Sequence, residues 1–127
     1  MSAPQPLRFF VVDDEPAILN LISRLLEARG HKVSLCHAGT AALIDMPDPA
    51  PDCIITDINM VGVDGFELTR ELRQSAATSG AKIIAISGDT DEETQAKARE
   101  AGANAFVGKP INPETFGEEI EGLLASL

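Results

Sequence analysis

The chain has 127 residues, enough for one domain with an adequate core and too few for two. Its hydrophobic fraction of 44% excludes a disordered tail, and no apolar stretch approaches the roughly 20 residues of a membrane span. A formal net charge of −10 would repel a phosphate backbone, which argues against direct nucleic-acid binding.

The first six residues, Met1-Ser2-Ala3-Pro4-Gln5-Pro6, carry neither a basic region nor an apolar core, so they are no secretory signal. We expect residues 1–6 to be a disordered leader, residues 7–127 to form the domain, and the protein to stay in the cytoplasm. Residues 7–12 are an apolar run that reads as a buried strand and stops at two adjacent acids, Asp13 and Asp14. Pro16 suits the first turn of a helix, where Ile18, Leu21, Ile22, Leu25 and Leu26 recur at helical spacing before Gly30 supplies the stop. Residues 32–36 read as a short second strand, and residues 40–46 as a small helix ended by the loop Pro47-Asp48-Pro49-Ala50-Pro51, a solvated connector.

Cys53-Ile54-Ile55-Thr56 is continuous in the manner of a strand buried on both faces, and it runs into Asp57. Asp64-Gly65 marks a turn before a helix over residues 66–77. The fourth strand, Lys82-Ile83-Ile84-Ala85-Ile86, runs into Ser87, and the acids that follow suit the positive end of a fourth helix. That helix offers mainly Ala96, Ala98 and Ala101 as apolar positions, so it buries little area and should be the least firmly held. The fifth strand, Ala103-Asn104-Ala105-Phe106-Val107, runs into Lys109-Pro110. A last helix from residue 113 carries Phe116, Ile120, Leu123, Leu124 and Leu127 as its apolar stripe. Five βα units predict an α/β fold, a doubly wound parallel sheet with helices on both faces. Cys36 and Cys53 lack CxxC spacing and read as buried thiols. His31 and His37 are isolated and read as surface residues, neither metal ligands nor phospho-acceptors.

If the strands are parallel neighbours, Asp13, Asp14, Asp57, Ser87 and Lys109 converge on the carboxyl edge of the sheet, the ligand edge of open α/β folds. Any one aspartate could simply cap a helix. Three at the strand ends of one sheet point to a site. Two carboxylates ~4 Å apart repel by about 4 kcal/mol at an effective dielectric near 20, which a fold tolerates when a cation fills the gap. Hard oxygen ligands select Mg²⁺, which bridges to phosphoryl oxygens. Lys109 offers a point charge for a phosphate oxygen, Ser87 a hydroxyl, and Pro110 a candidate cis peptide. Asp57 stands alone on the central strand, which makes it the best phosphoryl acceptor, forming an acyl phosphate.

The acid pair Asp13-Asp14, Asp57 with Met60 and Asp64-Gly65, Ser87-Gly88, Phe106 and Lys109-Pro110, in that order, resemble the response-regulator receiver domains of two-component signalling systems, of the single-domain chemotaxis-regulator type. The resemblance runs over residues 7–124. It implies a flavodoxin-like (βα)5 sheet of order 2-1-3-4-5 and phosphorylation of Asp57 by a histidine kinase or histidine phosphotransfer protein. It also implies Mg²⁺ held by Asp14, Asp57 and the backbone carbonyl of Asn59, with Asp13 acting largely through water. Lys109 would neutralise the phosphoryl group, Ser87 would swing toward it, and Phe106 would turn inward. The fourth helix, fifth strand and fifth helix would then present an altered surface to an effector protein. Asn59 and Asp89 would flank the path of the attacking water, and both are small and polar enough to leave it open. No external substrate would be turned over beyond the domain's own phosphorylation and autodephosphorylation.

With no output region after the last helix, the resemblance implies a stand-alone switch or phosphorelay shuttle, the alternative being a receiver excised from a larger kinase or regulator. Val61 departs from the pattern, standing where the family often has proline, so the loop beyond Asp57 is expected to be less rigid. Two other classes compete. A haloacid-dehalogenase-type phosphohydrolase needs a second acid two residues after its nucleophile, where Asn59 cannot transfer a proton. A flavodoxin-like cofactor binder needs a hydroxyl- and glycine-rich phosphate loop where Asp13-Asp14-Glu15 stands.

Overall fold

The computed structural model describes residues 6–127, so the expected leader lies outside the described residues except for Pro6. Strands β1 (Arg8–Val12), β2 (Lys32–Cys36) and β3 (Cys53–Asp57) are followed by the two-residue strands β4 (Asn59–Met60) and β5 (Val63–Asp64), then by β6 (Lys82–Ser87) and β7 (Ala105–Gly108). Helices α1 (Pro16–Glu27), α2 (Gly65–Gln74), α3 (Glu92–Ala101) and α4 (Phe116–Ala125) alternate with them. The main sheet has the order β2-β1-β3-β6-β7 with every neighbouring pair parallel. Counting only its own strands, that is the expected 2-1-3-4-5 of a flavodoxin-like fold. The strands β4 and β5 form a separate antiparallel hairpin that the periodicity did not reveal.

Alternation along the strands divides the core. Phe9, Val11, Ile55, Ile84 and Ile86 face α1 and α4, where Leu19, Ile22, Leu26, Phe116 and Ile120 cover them. Phe10, Val12, Ile54, Ile83 and Ala85 face α2 and α3, against Leu68, Leu72 and Ala98. Leu127, assigned to the stripe of the last helix, is instead exposed beyond its end. Cys36 and Cys53 are free and buried as expected, and burial pushes the Cys53 thiol up. No helix among the described residues is long and apolar enough to cross a membrane.

Three further expectations need correction. The helix expected over residues 40–46 is only a 3-10 turn, Gly39–Ala41, because Gly39 and Thr40 are weak helix formers and Pro47 disfavours helix in the residue before it. In the fourth expected helix, α3, Ala98 and Ala101 are buried but Ala96 is exposed. The helix is secured at its ends instead. Asp91 Oδ1 accepts from the Thr94 N–H at 2.7 Å, and Gly102 closes it in the left-handed region at φ +119°. The Arg73 guanidinium fastens this end to α2, donating to the carbonyls of Gly102, Ser79 and Ala81 and to Asn104 Oδ1.

The third correction is His31, which is buried and not a surface residue. Its Nδ1 accepts from the Leu7 N–H at 3.0 Å, so Nε2 carries the proton and donates to Glu121 Oε2 at 2.8 Å. Arg29 completes the clasp on the same carboxylate, its Nε 2.9 Å from Glu121 Oε2. This joins α4 to the first half of the chain. His37 is exposed as expected. The Arg29 hydrogen bond, aided by His31 against a smaller desolvation cost, holds Glu121 down at about 2, below its ordinary value of 4.5. A carboxyl depressed in the fold contributes stability above its unfolded value and loses it as pH falls through the folded one. Glu121→Gln is therefore expected to be less stable than wild type at pH 7, and the gap should close between pH 4.5 and about 2. Urea unfolding of both proteins across that range is the check.

Candidate functional site

The register brings the chemistry together. Val12 is level with Thr56, Asp57 with Ile86 and Ser87 with Gly108, so the residues at these strand ends share one edge. Asp57 closes β3, Ser87 closes β6, Asp13 follows β1 and Lys109 follows β7. The Lys109-Pro110 peptide is cis, as the sequence suggested, and so is Asp48-Pro49.

Lys109 Nζ is the hub of the site. It lies 3.0 Å from Asp13 Oδ2, 3.1 Å from Asp57 Oδ2 and 3.2 Å from Glu15 Oε1. The Lys109 side chain is 14% exposed, that of Asp13 fully buried and that of Asp57 nearly so. Burial would lower the Lys109 ammonium, but the close carboxylates of Asp13 and Asp57 outweigh it and hold it above the usual lysine range. Burial likewise raises Asp13, helped by the charge of Asp57 and opposed by the Glu15 N–H and by Lys109.

The remaining carboxylate oxygens meet backbone donors. Asp57 Oδ1 accepts from the Asn59 N–H at 3.0 Å, Asp13 Oδ1 from the Glu15 N–H at 2.9 Å, and Asp14 Oδ2 from the Val61 N–H at 2.9 Å. Asp13 Oδ2 is different. It is buried, and Lys109 approaches it at ion-pair distance but off the angle of a hydrogen bond, so the oxygen is otherwise unsatisfied. One oxygen from each of Asp13, Asp14, Glu15 and Asp57 lies within 4.8 Å of the others. An all-oxygen set with a buried, unsatisfied carboxylate oxygen fits a hard divalent cation. Glu15 was not singled out from sequence, where its only signal was adjacency to the acid pair.

Ser87 is fully buried, and its hydroxyl accepts from Asn59 Nδ2 at 3.1 Å and from the Asp89 N–H at 3.0 Å. The Asp89 carboxylate accepts from the Asp91 N–H at 3.2 Å, within the turn that leads to α3. Phe106, in the middle of β7, is half-buried against the α2/α3 side of the core.

A model of the response regulator receiver domain matches residues 9–121. The chain belongs to this family. Among curated relatives, it is 30% identical to protein PilH of Pseudomonas aeruginosa over 93% of this chain and 98% of that one. It is 34% identical to the sensory/regulatory protein RpfC of Xanthomonas campestris over 83% of this chain, but spans only 15% of that protein. Among solved structures, chemotaxis response regulator CheY4 of Vibrio cholerae superposes with a TM-score of 0.86 at 27% identity, over 94% of this chain and 99% of that one. Receivers typically bind Mg²⁺ in an acidic pocket, and this receiver has the cluster of acids for it.

One glycine secures the site in this receiver. The Gly65 N–H donates to the Ile58 carbonyl at 3.1 Å, closing the hairpin that begins two residues after Asp57. A Cβ at Gly65 would lie 2.4 Å from Ile58 Cα and 2.5 Å from its carbonyl oxygen, and backbone cannot give way there. Gly65→Ala is expected to cost roughly 2–3 kcal/mol in chemical denaturation. It should also displace the Asn59 and Val61 amide resonances, because those N–H groups bind Asp57 and Asp14.

Proposed function

We propose that this receiver is a phosphorylation switch in which Asp57 accepts a phosphoryl group from a histidine kinase or histidine phosphotransfer protein. One observation carries the reading: the Asp57 carboxylate stands at the end of the central strand with the Lys109 ammonium 3.1 Å from Oδ2. A carboxylate oxygen of Asp57 attacks phosphorus, the bond to the donor's imidazole nitrogen breaks, and an acyl phosphate forms. Lys109, held protonated by its neighbours, exchanges a carboxylate contact for phosphoryl oxygens. Asp13, Asp14, Asp57 and the Asn59 carbonyl are the groups assigned to Mg²⁺, with Glu15 beside them. Bound Mg²⁺ supplies charge neutralisation and a template for the phosphoryl oxygens.

Ser87 must break its hydrogen bonds from Asn59 Nδ2 and the Asp89 N–H to reach the phosphoryl group. Phe106 then fills the space it leaves. The response reaches a partner through α3, β7 and α4, since α3 buries only two alanines and little packing opposes its shift. The domain works in the cytoplasm, and its catalysis is confined to its own phosphorylation and dephosphorylation.

Incubation with Mg²⁺ and acetyl phosphate should add one phosphoryl mass to wild type and none to Asp57→Asn; an equal gain in the mutant rejects the assignment. Mg²⁺ should raise the melting temperature, since a ligand of the native state at ten times its Kd adds about 1.4 kcal/mol. Asp14→Asn should be more stable than wild type without Mg²⁺ and respond less to it, and a wild-type Tm indifferent to Mg²⁺ contradicts the metal site. Asn59 and Asp89 are proposed to leave the phosphorus open to in-line water. Asn59→Met and Asp89→Arg should therefore slow loss of the aspartyl phosphate after the donor is removed, and unchanged decay in both contradicts that role.

A further inference from the structure

A cleft of about 220 Å³ opens between the Gly39–Ala41 turn, the β4–β5 hairpin and α2. Gly39 allows the close approach of turn and hairpin, since a Cβ there would lie 2.9 Å from Met60 Cε. One wall is apolar, built from Leu43, Val63 and Leu68. The other carries the carboxylate of Asp64, which caps α2 by accepting from the Phe66 N–H, and those of Glu67 and Glu71, four residues apart on one face of that helix. Glu67 in the first turn suits the positive end of the helix, whereas Glu71 four residues on repels it, and neither belongs to an ion pair among the described residues. The lining residue Leu43 is 42% exposed, and the chain neighbours of Leu43 and Gly62, Ile44 and Val61, are 84% and 89% exposed. Scattered exposed aliphatics are ordinary, but Leu43 is exposed within the lining of a cleft.

We infer that this cleft docks an amphipathic basic segment of a partner protein, with one or two apolar side chains in the cleft and lysine or arginine side chains on the acid stripe. Ligand pockets usually hold about 300–1,000 Å³, so this one suits a side chain better than a cofactor. A second copy of the chain would bring a charge of −10 against −10, and a nucleic acid or anionic membrane would be repelled in the same way. The stripe selects a cationic partner, and the exposed aliphatics select one with an apolar face. The surface is built from the turn, the hairpin and α2, and its lining includes no residue of α3, β7 or α4.

The test uses a fluorescent synthetic helix of about 14 residues, leucine at i, i+3, i+4 and i+7 and lysine elsewhere, with a scrambled peptide of the same composition as control. The intact stripe should bind saturably in fluorescence anisotropy and shift the amide NMR signals of Leu43 and residues 62–68. Leu43→Ser and Glu71→Lys should each weaken binding about tenfold, the size of an ordinary interface contact. Glu114→Lys makes the same change in net charge at an exposed position elsewhere and should have little effect. A dispersed spectrum of each variant shows that it is folded. Absence of saturable binding, equal binding of the scrambled peptide, shifts that map elsewhere, or equal weakening by Glu114→Lys would each overturn the proposal. Shifts at the cleft on raising protein concentration alone would assign it to a second copy and overturn it as well.

Discussion

The Lys109 ammonium, wedged between Asp13 and Asp57, is the interaction on which the site depends. Buried carboxylates at adjacent strand ends repel strongly in a medium of low dielectric. A buried charge is tolerated when it is paired, and one cation at 3.0 and 3.1 Å serves both acids. That pairing reaches across the sheet, because Asp13 follows β1, Asp57 ends the central β3 and Lys109 follows the edge strand β7. The pairing is incomplete, since Asp13 Oδ2 has no well-aligned donor and Asp14 and Glu15 add further charge. The site is left with more negative charge than its own lysine can balance. In the proposed function that deficit is what a metal ion and a phosphoryl group together resolve.

Around this charged edge, the firmness of the fold is uneven. The sheet and its α1/α4 face bury Phe9, Leu26, Ile84, Ile86, Phe116 and Ile120 almost completely. The His31–Glu121–Arg29 clasp adds a polar fastening on the same side. On the opposite face, α3 buries two alanines and relies on its Asp91 cap, its Gly102 stop and the Arg73 fork. Elements with few buried apolar contacts open at low free energy, which suits α3 to move while the sheet stays fixed. The β4–β5 hairpin is anchored to the Asp57 and Asp14 carboxylates through the Asn59 and Val61 N–H groups. It is therefore the part of the backbone most directly exposed to a change of charge at Asp57 or Asp14.

Much of this was legible in the sequence. The strands were readable because a strand buried on both faces has a continuous apolar run, as in Cys53-Ile54-Ile55. The site was readable because each polar residue interrupts such a run at its carboxyl end. What was missed depends on contacts between distant residues. The burial of His31 rests on Glu121, 90 positions away, and no local spacing announces that. The β4–β5 hairpin is two residues long on each side, too short to show alternation. The 3-10 turn at Gly39–Ala41 was mistaken for a helix because Ala41, Ala42 and Leu43 favour one locally, while the prolines beyond and the packing of the hairpin on Gly39 prevent it. Glu15 has no signal in the sequence beyond adjacency to the acid pair, and only the structure shows its carboxylate against Lys109.

The central claim is that the acyl phosphate forms on Asp57 and on no other acid of the cluster. Borohydride reduces an aspartyl phosphate to homoserine, so it marks the phosphorylated position permanently. Wild-type protein treated with Mg²⁺ and a small phosphodonor, then reduced and analysed by tandem mass spectrometry of its peptides, should carry homoserine at position 57. Homoserine at position 13, 14 or 89, or no homoserine in protein that has gained a phosphoryl mass, would contradict the account.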